Sequence, residues 1–118
     1  MWIFSTVGFF SVVSAGQGNV QVRARDRRDL ERLVDTFAVR AAILDTPRAD
    51  YPCRIVISQR VWLRVALGLA RQAKKYTNFK MAAAAVDPSR SRVLHEIWAA
   101  SCALGCEGRC DDGFDFPL

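Results

Sequence analysis

Apolar residues run almost unbroken from Trp2 to Val13 (WIFSTVGFFSVV), then alternate with polar ones from Val20 to Arg25 (VQVRAR). A continuous β-branched and aromatic run reads as a strand buried on both faces. Strict alternation reads as a strand with one face in water. Gly16-Gln17-Gly18-Asn19 lies between them and supplies the turn. The pair predicts a β-hairpin whose first strand, Trp2 to Val13, lies in the middle of a sheet. On the second strand Val20, Val22 and Ala24 are expected to face helices, with Gln21, Arg23 and Arg25 on the opposite face.

The period then lengthens. Asp26 with Asp29 three residues on reads as an N-cap with an acid at the third position. Leu30, Leu33, Val34 and Phe37 form one helical stripe, which predicts a first helix from Arg27 to Ala41. Ile43 to Pro52 reads as a loop, and Arg54 to Ile57 as a short third strand. Ser58 caps a second helix with the stripe Trp62, Val65, Ala66, Leu69 and Ala73, and Lys74 and Lys75 suit the negative end of its dipole. Tyr76 to Lys80 breaks the pattern. Asn78 is placed to cap a short helix through Met81 and four alanines. Asp87-Pro88 then restarts a last helix with Leu94, Ile97, Trp98 and Cys102 on its apolar side. Gly105 and Gly108 end it.

The order β-β-α-β-α-(α)-α predicts an α+β fold: a two-layer sandwich with a small antiparallel sheet packed on one side by three to four helices. At 118 residues the chain is expected to form a single domain over residues 1–106, followed by an acidic, mobile tail over 107–118. Charge divides at the same place. Residues 1–106 hold sixteen Lys and Arg against eight Asp and Glu, net +8, whereas the tail holds one Arg and four acids, net −3. A basic body suits nucleic acid, an acidic protein surface or anionic lipid. No Lys or Arg precedes the first apolar run and no stretch has the length of a membrane helix, so the expectation is a cytoplasmic protein with no membrane partner.

Trp2, the run Gly8-Phe9-Phe10-Ser11-Val12-Val13, the segment Val22-Arg23-Ala24-Arg25, Asp29-Leu30, Asp50-Tyr51-Pro52, Trp62, Tyr76-x-Asn78-Phe79-Lys80 and Trp98 form a pattern over residues 1–100. The chain resembles a group of short bacterial proteins of unknown function that share this pattern. The resemblance implies a small soluble protein, bacterial or phage-borne, and carries no activity.

Few residues suggest chemistry. Cys102-x3-Cys106-x3-Cys110, with His95 upstream, offers thiolate and imidazole ligands. Structural zinc sites, however, use two separated arms and this spacing gives one. The expectation is no metal and no cofactor, with reduced cysteines. A nucleophilic Cys53 would need a base, and the only histidine is His95. There are no paired carboxylates, phosphate-binding glycine loop or serine-centred turn, so catalysis is not expected.

The sheet face is the stronger candidate. If Trp2, Phe4, Phe10 and Val12 point to the helices, then Ile3, Ser5, Val7, Phe9, Ser11 and Val13 share the far face with Arg23 and Arg25. Aromatic rings beside guanidiniums suit a protein partner or self-association; they also suit nucleic acid, or burial beneath the last helix or the tail. The expectation is a small protein-interaction or regulatory module, of inhibitor or immunity type, with nucleic-acid binding as its alternative and metal binding as a second. Its contact residues would be Phe9, Arg23 and Arg25, joined by Tyr76 and Lys80 if the interhelical loop presents a recognition surface.

Overall fold

The run from Trp2 to Val13 folds as two strands, not one. In the computed structural model, which describes residues 1–105, strand β1 spans Trp2–Phe4 and strand β2 spans Phe9–Gly16. Between them Ser5 and Gly8 exchange backbone hydrogen bonds at 3.0 and 3.2 Å, and the Ser5 hydroxyl accepts from the Val7 and Gly8 N–H groups at 3.2 Å each. These bonds fix a tight turn on Ser5, Thr6 and Gly8, turn-forming residues set inside an otherwise apolar run.

Strand β3 (Asn19–Ala24) pairs with β2 across the glycine turn, helix α1 covers Arg27–Phe37, and β4 is the two-residue strand Leu44–Asp45. Strand β5 (Cys53–Ser58) leads into helix α2 (Gln59–Gln72). The sheet is antiparallel throughout, in the order β1-β2-β3-β5-β4. The centre is therefore β3, with β2 beside it and β1 at one edge. The expected loop over 43–52 contains the opposite edge, because Leu44 and Asp45 pair with Arg54 and Cys53.

The local signals explain the helices. The Asp26 carboxylate accepts from the Arg28 N–H and caps α1, and the Ser58 hydroxyl accepts from the Val61 N–H and caps α2. Helix α1 stops at Phe37, four residues short of the expected Ala41, because Ala38 turns left-handed at φ 51° and its N–H closes on the Val34 carbonyl. Lys74 and Lys75 fall in a 3-10 turn after α2.

Helices α1 and α2 cover one face of the sheet. Phe10, Val12, Val22 and Ile55 from the strands bury against Leu30, Leu33, Val65 and Trp62 from the helices. Val22 and Ala24 face this layer as the alternation predicts, and Phe10, Leu30, Leu33 and Ile55 are sealed from solvent. This is the α+β architecture expected.

The chain divides into two compact units, Met1–Lys75 and Tyr76–Leu118. The division falls at Tyr76, the position where the helical pattern breaks, and the tail boundary at 106/107 lies outside the described residues. In the second unit helix α3 (Phe79–Val86) is capped by Asn78, whose side-chain oxygen accepts from the Met81 N–H at 3.0 Å. Asp87 then caps a 3-10 turn over Pro88–Arg90, and helix α4 spans Ser91–Ser101. Leu94, Trp98 and Cys102 are half-buried while Ile97 is exposed, so the expected stripe is narrower than the sequence pattern suggests.

Candidate functional site

The turn at Ser5–Gly8 decides what the far face of the sheet carries. Along one continuous strand Phe4 and Phe9 would point to opposite faces. In the hairpin Trp2 stands opposite Ser11 and Phe4 opposite Phe9, and directly opposed residues share a face. Trp2 and Phe4 are thus not turned to the helices, as an unbroken strand would require. They join Phe9, Ser11, Arg23 and Arg25 on the face that α1 and α2 leave open, and Ile3 moves to the helical side with Phe10. Val7, in the turn, belongs to the core.

Strand β5 adds to the open face. Arg23 stands opposite Arg54, and Gln21 opposite Val56. Like charges directly across an antiparallel pair are unfavourable, and the neighbours offset them without carboxylates. Arg23 donates to the Ser11 hydroxyl at 2.7 Å. Arg54 donates to the Gln21 side-chain oxygen at 2.7 Å and to the Thr46 hydroxyl at 3.2 Å. The Nε atoms of both arginines are buried with no hydrogen-bond partner. Arg25 donates to the Asp50 carbonyl at 2.8 Å, while the Asp50 carboxylate accepts from the Tyr51 N–H. No ion pair among the described residues includes Arg23, Arg25 or Arg54.

Tyr51 is the post that holds this row. It is 3% exposed, and the guanidinium carbons of Arg23 and Arg25 lie 4.6 and 4.5 Å from its ring centroid. Such cation–π contacts contribute about 0.5–2 kcal/mol each and fix a flexible side chain in one orientation. An aromatic row continues from it. Phe9 lies 6.3 Å from Tyr51, stacks on Phe4 at 4.3 Å, and meets Trp2 edge-on at 6.2 Å. Trp2 is 69% exposed.

A buried clamp sets Phe9. The Asp29 carboxylate, 2% exposed, accepts from the Phe9 N–H at 3.1 Å and from Arg32 at 3.2 Å, and Arg32 also donates to the Val7 carbonyl at 2.6 Å. Asp29 thus ties helix α1 to the β1–β2 hairpin, a role that the capping pattern did not reveal. The approach is close: a Cβ on Gly8 would stand 2.4 Å from the Asp29 Cγ.

Of the residues expected at a contact surface, Phe9, Arg23 and Arg25 come together. Tyr76 and Lys80 belong to the second unit. There Tyr76 lies 6.0 Å from Phe79, consistent with a plug at the start of α3. Lys80 sits 3.2 Å from the His95 Nδ1 and 4.7 Å above the Trp98 ring. Among the described residues no group of three or more His, Cys, Asp and Glu is placed to hold a metal. Cys106 and Cys110 lie outside them. Cys53 is buried and donates to the Ala24 carbonyl; burial pushes its thiol above the ordinary range, with the Asp45 charge adding to the effect. No described helix is long and apolar enough to cross a membrane.

Sequence reasoning missed Tyr51, Arg54, Trp2 and Phe4 on this face. Arg54 and Val56 were legible from their alternation with Cys53, Ile55 and Ile57. Tyr51 precedes its strand and had no such signal. Comparison with family models, curated proteins and solved structures gave no match.

Proposed function

We propose that this chain is a recognition module that acts through the open face of its sheet. The observation that carries the reading is the guanidinium row. Arg23 and Arg25 are stacked on Tyr51, Arg54 is fixed by Gln21 and Thr46, and no carboxylate pairs with any of the three among the described residues. Charge held rigid and left uncompensated favours an anionic partner, because the entropy of ordering those side chains is spent on folding, before binding. Next to it lies a ring row ending in an exposed indole, the residue type enriched with arginine in binding hot spots. Regulation or inhibition of a partner, by covering it, is the activity this surface suits.

Capture from native lysate at low salt, with wild-type protein and with a Trp2→Ala/Arg25→Ala variant, tests the reading. Both positions are exposed, so the variant is expected to fold. A species retained by the wild type and released by the variant is the expected result. Identical capture by the two proteins overturns the assignment of this face.

A further inference from the structure

We infer that the open face takes single-stranded nucleic acid, with bases stacked on Trp2 and the Phe4–Phe9 pair and phosphates on the guanidinium row. The inference rests on the recognition reading above and names its partner.

Charge gives the first argument. The unit Met1–Lys75 holds thirteen Lys and Arg against six Asp and Glu, net +7. Four of its six acids pair elsewhere: Asp26 with Arg28, Asp29 with Arg32, and Glu31 and Asp45 with Arg27; the Asp50 carboxylate, beside the row, accepts from the Tyr51 N–H. The open face keeps its positive sign, which a polyanion complements along its length.

The rings give the second. A nucleotide strand carries phosphate and a flat ring in every unit, so one ligand engages the guanidiniums and the rings together. Orientation gives the third. The Trp2 and Phe9 rings meet edge-on at 85°, so bases stacked on Trp2 and on the Phe4–Phe9 pair cannot lie parallel. Neighbouring bases must splay apart, which a single strand permits and a duplex does not. Tyr51 takes no base, since Arg23 and Arg25 cover it. Its part is to aim them.

The test is fluorescence anisotropy of the full chain with labelled single-stranded oligo-dT and oligo-U of twelve nucleotides, and with a duplex of the same length, over a salt series. Three phosphate contacts predict that log affinity falls against log salt with a slope of about −2. Trp2→Ala is expected to weaken binding by about 5- to 150-fold through loss of one stacking platform. Arg25→Ala is expected to flatten the slope by about 0.7. Circular dichroism confirms that each variant is folded, and the duplex is expected to bind more weakly than either single strand.

No oligonucleotide binding at low salt overturns the inference. So does binding that is equal for duplex and single strand and indifferent to Trp2→Ala. If oligonucleotides fail while a lysate protein is still released by the Trp2/Arg25 variant, the occupant is a protein: this inference falls and the recognition reading stands. A dimer in solution that Trp2→Ala dissociates overturns it in favour of a second copy of the chain. Loss of both oligonucleotide binding and variant-sensitive capture removes both readings.

Discussion

Gly8→Ala is the substitution that tests the link between the hairpin and helix α1 most directly. The added methyl would stand 2.4 Å from Cγ, 2.6 Å from Cβ and 2.7 Å from Oδ1 of Asp29, all well inside van der Waals contact. Asp29 has little room to yield, since it is 2% exposed and held by the Phe9 N–H and Arg32. If the packing strains, overfilling costs about 1–3 kcal/mol. If the carboxylate moves, a buried acceptor and the Phe9 N–H lose each other, at about 1–3 kcal/mol. The two together predict a loss of about 2–6 kcal/mol, a large share of the ~5–15 kcal/mol that stabilises an ordinary domain. Urea unfolding followed by circular dichroism reads this as a midpoint roughly 1–3 M lower. Gly18→Ala is the control: its φ is +76° but nothing lies within 4 Å, so it costs only the left-handed backbone, about 1–2 kcal/mol. Because the Phe9 bond can be lost only once, Gly8→Ala combined with Asp29→Ala should cost less than the two added. A Gly8→Ala midpoint no lower than that of Gly18→Ala refutes the clamp.

Three further outcomes follow from the fold. Phe10→Ala empties a fully buried site between β2 and the helices and should cost about 3–5 kcal/mol, measured by the same unfolding assay. Ser58→Ala removes the cap of α2 and should cost about 1 kcal/mol, with Ser58→Thr retaining most of it. The Cys53 thiol is held above its ordinary value of 9.0 by burial. The unfolded chain therefore gives up this proton at lower pH than the folded one, so its contribution to stability is complete below pH 9.0 and declines above it. Cys53→Ala should flatten the fall in stability above pH 9.0, read from thermal melts between pH 7 and 10.

Most of the architecture was legible from side-chain periodicity, and most of the failures lie where a contact remote in sequence decides. Capping signals at Asp26, Ser58 and Asn78 each place a helix start correctly because they act over three residues and need no tertiary context, whereas Asp87 caps a 3-10 turn and α4 begins three residues later than Pro88, at Ser91. The alternation on β3 assigns Val22 and Ala24 to the core for the same local reason. The turn at Ser5–Gly8 escaped because Val7 and its neighbours read as strand, and what closes the turn is a serine hydroxyl and a glycine beneath Asp29. That one omission reversed the faces of Trp2 and Phe4. The candidate site was half visible: Phe9, Arg23 and Arg25 follow from parity, while Tyr51 reaches them from a segment remote in sequence. Asp29 was read as a capping partner, since only the folded chain brings it to the Phe9 N–H.

The two edges of the sheet are short, three residues in β1 and two in β4. Long unpaired edges are where folded chains template one another into aggregates. Where β2 extends past β1, the register slips between Ser14 and Gly16, and Gly16, Gln17 and Gly18 all take left-handed backbone. An irregular, glycine-bearing border is a poor template for another strand. Strand addition is therefore disfavoured at the β1 and β4 edges and along the β2 border, so adhesion through the sheet face that α1 and α2 leave open is not compounded by pairing at those places.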